Sequence, residues 1–223
     1  MEEEIVFCCP VCGGALQRRE HGAQCQNGHS FDEARQGYLH LLPPNRMHSK
    51  LPGDSREMVE GRRRFLEAGY YAPFREELCR LVKECLPREK GAVVCDAGCG
   101  EGYYTGAVKE AVPEAVVRGF DISKLAVKAA AGKYKRVRFA VASCFAIPLP
   151  DASCRVLTDV FAPIAEEEFA RVVAPGGCFL YAVPGERHLY GMKEILYEQP
   201  YENERRDAEY PGFRFVSRHP VRD

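Results

Sequence analysis

No apolar run in the 223-residue chain approaches the roughly eighteen residues that a membrane-spanning helix needs, so a membrane role has no support. Neither sign of charge is in excess: 31 basic residues face 32 acidic ones, for a net charge of −1. Bulk charge therefore argues neither for nor against nucleic acid, and what matters is where basic residues cluster. No secretory leader opens the sequence, and no internal repeat or low-complexity tract is evident. Eleven cysteines would suggest disulfides in a secreted domain, but Cys79, Cys85 and Cys95 fall where helix or strand interiors are expected, which reads as a reducing cytoplasm. The 46% hydrophobic and 28% charged residues suffice for one sizeable core and a small satellite.

The satellite announces itself first. Cys9-Pro-Val-Cys12 is answered by Cys25-Gln-Asn-Gly-His29, two short turns about a dozen residues apart. Three thiolates and an imidazole arriving this way close a tetrahedron around zinc with no position left for water, which makes the site structural. Cys8 could substitute for Cys9, but Cys9 gives the spacing and the proline that shapes the turn; a disulfide or free thiols are the plain alternative. The large apolar residues of this stretch (Ile5, Val6, Phe7, Leu16, Phe31, Tyr38, Leu39, Leu41) are too few to stabilise it alone, so metal binding is expected to supply its folding free energy.

Three divisions follow: residues 1–42 as the zinc lobe, 43–90 as linker and helices, and 91–223 as an α/β domain. Within the second, Asp54 is the expected N-cap of a helix, with Glu57 reaching back to it and Met58, Phe65 and Leu66 as its apolar stripe. A second helix is expected from about Pro73 to Leu86. From Gly91 the pattern alternates between short β-branched runs (near 92–96, 115–120, 137–141, 155–161 and 177–183) and helical stretches, the signature of a doubly wound, Rossmann-like sheet. Phe213 to Ser217 reads as one more strand.

Asp96-Ala-Gly98-Cys99-Gly100-Glu-Gly102 lies between the first such strand and its helix, where glycines let backbone approach a ligand. The next strand ends at Asp121, placed to accept hydrogen bonds from both hydroxyls of a ribose, although a helix N-cap beside Ser123 would explain it too. Ser143, at the end of the third strand, sits where such folds contact adenine. This spacing looks like the first motif of class I methyltransferases, whose ligand is S-adenosylmethionine (SAM).

The chain as a whole then resembles the bacterial zinc-containing methyltransferases that modify guanine N1 in a hairpin of large-subunit (23S) ribosomal RNA. The resemblance rests on Cys9 to Leu42, Pro52 to Pro73, Asp96 to Thr105 and Pro184 to Leu189. It implies that Cys9, Cys12, Cys25 and His29 hold zinc, that Tyr71, Cys99, Gly100 and His188 contact SAM, and that the zinc lobe helps grip RNA. Ribosomal RNA is the expected partner, with a homodimer as a further expectation. Arg46, Lys50, Arg62, Arg63 and Arg64, and then Lys124, Lys128, Lys133, Lys135, Arg136 and Arg138, are candidate phosphate contacts. Asp159, at the end of the fourth strand, is a candidate base for the N1 proton, and Phe161 a stacking surface for a splayed-out guanine. Members of the family continue for several tens of residues past Phe213, so a sheet without its closing hairpin is expected here. A small-molecule methyltransferase, or a non-catalytic zinc RNA-binding protein, would share much of this pattern.

Overall fold

A computed structural model describes residues 7–43, 53–87, 90–204 and 209–221; Ile5, Val6, Arg46 and Lys50, named above, lie outside them. The chain starts with a small antiparallel sheet of β1 (Leu16–Arg19), β2 (Gly22–Cys25) and β3 (Ser30–Asp32), in that order. A two-residue turn joins β1 to β2, and β3 crosses so close to Gly22 that a Cβ there would lie 2.1 Å from the Phe31 carbonyl oxygen.

β4 (Tyr38–His40) leaves this lobe and pairs in parallel with β7 (Arg138–Val141) of the main sheet. The sequence placed these residues in the zinc lobe and foresaw no such strand; a three-residue run is too short to show its partner by pattern. The main sheet also contains β5 (Val93–Ala97), β6 (Val116–Asp121), β8 (Cys154–Val160) and β9 (Val173–Ala182). All its pairings are parallel, in the order β4-β7-β6-β5-β8-β9. The order reverses at β5, and the carboxyl ends of β5, β6 and β8 therefore open a crevice, the usual ligand position in open α/β sheets.

Alternate side chains of each strand feed opposite faces. Val94, Val117, Phe139, Val141 and Val156 pack under α2 (Ala72–Cys85), α3 (Tyr103–Ala111) and α4 (Lys124–Lys133), through Leu78, Val82, Val108, Val127 and Ala130. On the other face Cys95, Ala97, Phe120, Ala140 and Leu157 meet Phe169 and Val172 of α5 (Glu166–Val172). That same cluster includes Phe7, Cys9, Leu16, Ala23 and Cys25, so the zinc lobe covers part of the sheet where a second flanking helix would otherwise lie. Its seam is reinforced where the Cys8 N–H donates to the Pro148 carbonyl at 2.8 Å. Arg171 holds the loop carrying Pro148, donating to the carbonyls of Ile147 and Leu149 and to Glu168 and Asp151.

Three expectations need correction. α1 (Arg56–Glu67) is capped by Ser55, whose Oγ accepts from the Met58 N–H at 3.3 Å, while Asp54 pairs with Arg62. Its buried side chains are Val59 and Leu66; Met58 and Phe65 stay exposed, because one face of the helix is enough to meet α4. Residues 213–217 form no strand. A turn at Tyr210–Phe213, with Gly212 at φ +82°, lays Tyr210 and Phe213 on Tyr181 and Phe179 through ring contacts instead of backbone pairing. The last helix, α6 (Tyr190–Leu196), buries none of its residues among those described.

Candidate functional site

In the first lobe one ligand atom from each of Cys9, Cys12, Cys25 and His29 lies within 4.8 Å of every other. Cys12 Sγ is 3.7 Å from Cys25 Sγ, and His29 Nδ1 is 3.3 Å from Cys25 Sγ and 3.6 Å from Cys9 Sγ. Zinc bonds of about 2.3 Å to sulfur and 2.0 Å to nitrogen at tetrahedral angles place ligand atoms about 3.5–3.8 Å apart, so the donor set fits the ion. The Gly14 N–H and the Asn27 side chain lower the Cys12 thiol to about 6, toward the thiolate that a metal requires. Cys8 is outside the group.

At the crevice, β5 delivers Asp96 and the glycine turn. Gly98 has φ +71°, and a Cβ on it would stand 2.4 Å from the Ala162 methyl carbon, so only glycine lets the loops after β5 and β8 pass. Asp96 is buried beneath the turn and accepts from the hydroxyls of Thr105 and Thr158, the latter at 2.8 Å. Burial raises its carboxyl to about 6, against those two hydrogen bonds. It braces the turn from below.

β6 delivers Asp121, which accepts from the Gly100 N–H at 2.9 Å and the Ser123 N–H at 2.7 Å; burial raises its carboxyl. Ser123 is itself the N-cap of α4, so Asp121 supports a cap as well as facing the crevice. Cys99 is buried, with its thiol pushed up by desolvation. Ser143, half-buried past the end of β7, accepts from the Phe145 N–H at 3.2 Å.

Above the same edge the Tyr71 hydroxyl and His188 Nε2 lie 3.2 Å apart although 117 positions separate them. Phe161 joins them, its ring centroid 6.2 Å from Tyr71 and 5.5 Å from His188, and Phe74 lies 6.0 Å from Phe161. Phe161 takes a left-handed backbone (φ 58°), a strained setting for an aromatic residue that aims its half-exposed ring here. Phe74 and Tyr104, which packs on it at 5.3 Å, were read from the sequence only as helix residues; helical spacing does not distinguish a core aromatic from a site aromatic. Below Phe161, Asp159 is buried at the end of β8, its Oδ1 accepting from the Ala162 N–H at 3.2 Å.

Several of the candidate phosphate contacts are engaged elsewhere. Arg62 is paired with Asp54 beside the glycine turn, Arg63 and Lys133 share Glu67, and Arg138 pairs with Glu33. Lys135 donates to the carbonyls of Gln36 and Ala131. Among the described residues Arg64, Lys124, Lys128 and Arg136 form no ion pair or side-chain hydrogen bond, which leaves them as the freer cations of the set. No described helix is long and apolar enough to cross a membrane.

Comparison with known proteins gives a consistent result. Residues 7–50 match the family "RlmA, N-terminal", a zinc ribbon, and residues 94–177 match a methyltransferase domain family. A protein of Micromonospora griseorubida named "Putative 23S rRNA (guanine-N(1)-)-methyltransferase" is 39% identical over 84% of this chain and 68% of its own length. The 23S rRNA (guanine(748)-N(1))-methyltransferase of Streptomyces fradiae is 35% identical over 84% of the chain and 66% of its own. The chain thus spans about two thirds of the length of these relatives. Among solved structures, the complex of the Haloferax volcanii Trm112 methyltransferase activator with a methyltransferase aligns at a TM-score of 0.50 and 24% identity, over 63% of this chain and 64% of that one, a likeness of fold.

Proposed function

The chain belongs to the 23S rRNA (guanine-N1)-methyltransferase family, and on that premise we propose that it transfers a methyl group from SAM to N1 of a guanine in a large-subunit ribosomal RNA hairpin. The observation that carries the reading is the meeting of Tyr71, Phe161 and His188 over the edge where Gly98, Cys99, Gly100 and Asp121 converge. Bound SAM supplies an electrophilic methyl on a sulfonium. The glycine turn gives it a close backbone surface, Asp121 faces its ribose, and Ser143 lies toward its adenine. Tyr71 and His188 hold the methionine end, and their rings lie where a cationic sulfur is favoured.

Phe161 offers a stacking face for a base drawn out of its hairpin, so that guanine N1 is presented in line with the methyl group and away from water. Cys9, Cys12, Cys25 and His29 hold a structural zinc, and the lobe they close contributes to RNA binding. Arg64, Lys124, Lys128 and Arg136 contact phosphates. A second copy of the chain and a cytoplasmic setting complete the reading.

The test is to incubate the zinc-loaded chain with SAM and unmodified ribosomal RNA, digest the RNA and look for 1-methylguanosine by mass spectrometry. Methylation of a small molecule but not RNA would refute the substrate assignment. RNA binding should weaken with salt, with a log–log slope that becomes shallower by about one on Lys128→Ala.

A further inference from the structure

Two carboxyl groups are buried near one another at the ends of β5 and β8, and they differ in how they are satisfied. Asp96 has a hydroxyl donor on each oxygen. Asp159 is only 1% exposed and has one donor, the Ala162 N–H, on Oδ1; its Oδ2 has no hydrogen-bond partner among the described residues. A buried polar atom left this way loses its solvation without replacement, so it calls for an explanation beyond loop capping. Capping needs only Oδ1, and asparagine would serve it equally well.

The position supplies the explanation. Asp159 is two residues before Phe161, whose left-handed backbone places the ring with Tyr71 and His188, and Ala162, which caps it, touches the space over Gly98. Resting on the functional reading above, we propose that Asp159 is the general base of the methyl transfer, accepting the guanine N1 proton on Oδ2.

Guanine N1 carries a hydrogen, and its electron pair is delocalised into the adjoining carbonyl, so it attacks poorly until that proton leaves. In the balanced step the N1–H bond breaks with its proton passing to Asp159. N1 forms its new bond to the methyl carbon, and the pair of the broken carbon–sulfur bond stays on sulfur. The carboxylate charge and the sulfonium charge disappear together, and the proton then leaves to solvent after product release. The groups around Asp159 suit this. Asp96 approaches from β5, Cys144 from the loop after β7, Tyr181 from its register position on β9, and Tyr210 from the returning segment. None is a cation, and Asp159 forms no ion pair among the described residues. Burial, helped by Asp96, raises its carboxyl to about 7, where a base is half-ionised at neutral pH.

The experiment compares wild type with Asp159→Asn, both zinc-loaded, in single-turnover methylation of ribosomal RNA between pH 5.5 and 9 (about three and a half units spanning neutrality). Wild type should speed up with pH through about 7, and the variant should be slower by about 10²–10⁴-fold and lose that rise. SAM affinity by calorimetry should stay within about twofold, because Oδ2 is assigned to the proton. A variant within about fivefold of wild type, or one that keeps the same pH limb, overturns the assignment. A joint collapse of SAM affinity would make Asp159 a cofactor contact, and equally overturn it. If wild type yields no 1-methylguanosine the functional reading itself fails. The base assignment is then judged separately by carbon-13 NMR of the Asp159 carboxyl, which should titrate near 7 and is refuted by titration below about 5.

Discussion

Replacing Cys12 with serine should destabilise the whole protein and weaken SAM binding, although Cys12 touches neither the main sheet's core nor the crevice. Cys12 is exposed, whereas Cys9 and Cys25 are buried in the shared core, so this substitution removes a zinc ligand without creating a cavity. A closed four-ligand site loses most of its hold on the metal when one ligand goes, and the lobe has too few apolar residues of its own to stay folded. Phe7 and Leu16, each 2% exposed, then leave the cluster that contains Leu41, Phe120, Ile147 and Leu149. Each such side chain contributes about 1.5–3 kcal/mol of burial, so this face loses about 3–6 kcal/mol. Against a total stability of about 5–15 kcal/mol that is a large share. At about 2–4 °C per kcal/mol for a chain of this size, Tm should fall by about 6 °C at least. Because Phe120 and Ala97 immediately precede Asp121 and Gly98, SAM affinity should fall with it. Scanning calorimetry, zinc content by mass spectrometry and SAM titration read these three quantities. A variant that has lost its zinc yet melts within about 2 °C of wild type and binds SAM unchanged would show that the lobe is an independent appendage, and the shared-core argument would be wrong.

Gly98→Ala should abolish SAM binding and lower Tm, since the added methyl meets Ala162 at 2.4 Å on a backbone with φ +71°; unchanged binding isotherms would contradict the close approach. Tyr71→Phe removes the hydroxyl partner of His188, a hydrogen bond worth about 0.5–1.5 kcal/mol, so SAM affinity should drop about two- to tenfold with the fold intact by circular dichroism. Asp159→Asn should be more heat-stable than wild type at pH 8 but not at pH 4. The carboxyl ordinarily titrates near 3.8 and is raised to about 7 here, so the folded state binds the extra proton between those values and wild-type stability from this group declines as pH rises through that window. Equal Tm differences at both pH values would show that Asp159 titrates normally.

The sheet, the Cys/His cluster and the glycine turn were readable from local pattern. Alternating β-branched runs and helical stretches placed β5 to β9 and their helices within a few residues, because each buries a face whose period is written into the chain. The knuckle spacing brought Cys9, Cys12, Cys25 and His29 to within one metal's reach for a similar reason, that short turns fix their own geometry. The misreadings fell where a partner distant in sequence decides. Residues 213–217 have a strand's alternation, but the Phe213 ring packs on Phe179 and their backbone pairs with no strand among the described residues. Asp54 is as good a cap as Ser55 on paper, and the reach of Arg62 settles which of them does it.

What the sequence determined by itself, then, is the set of local elements and the chemistry of their ends: a metal knuckle, a glycine turn, an acid one strand later. Only the tertiary structure decided that β4 carries the zinc lobe into the main sheet, that the lobe's core and the sheet's are one, and that Tyr71 meets His188. Each of these is a contact between residues far apart in the chain, and such contacts are selected by the packing of whole elements, which no short window of sequence contains.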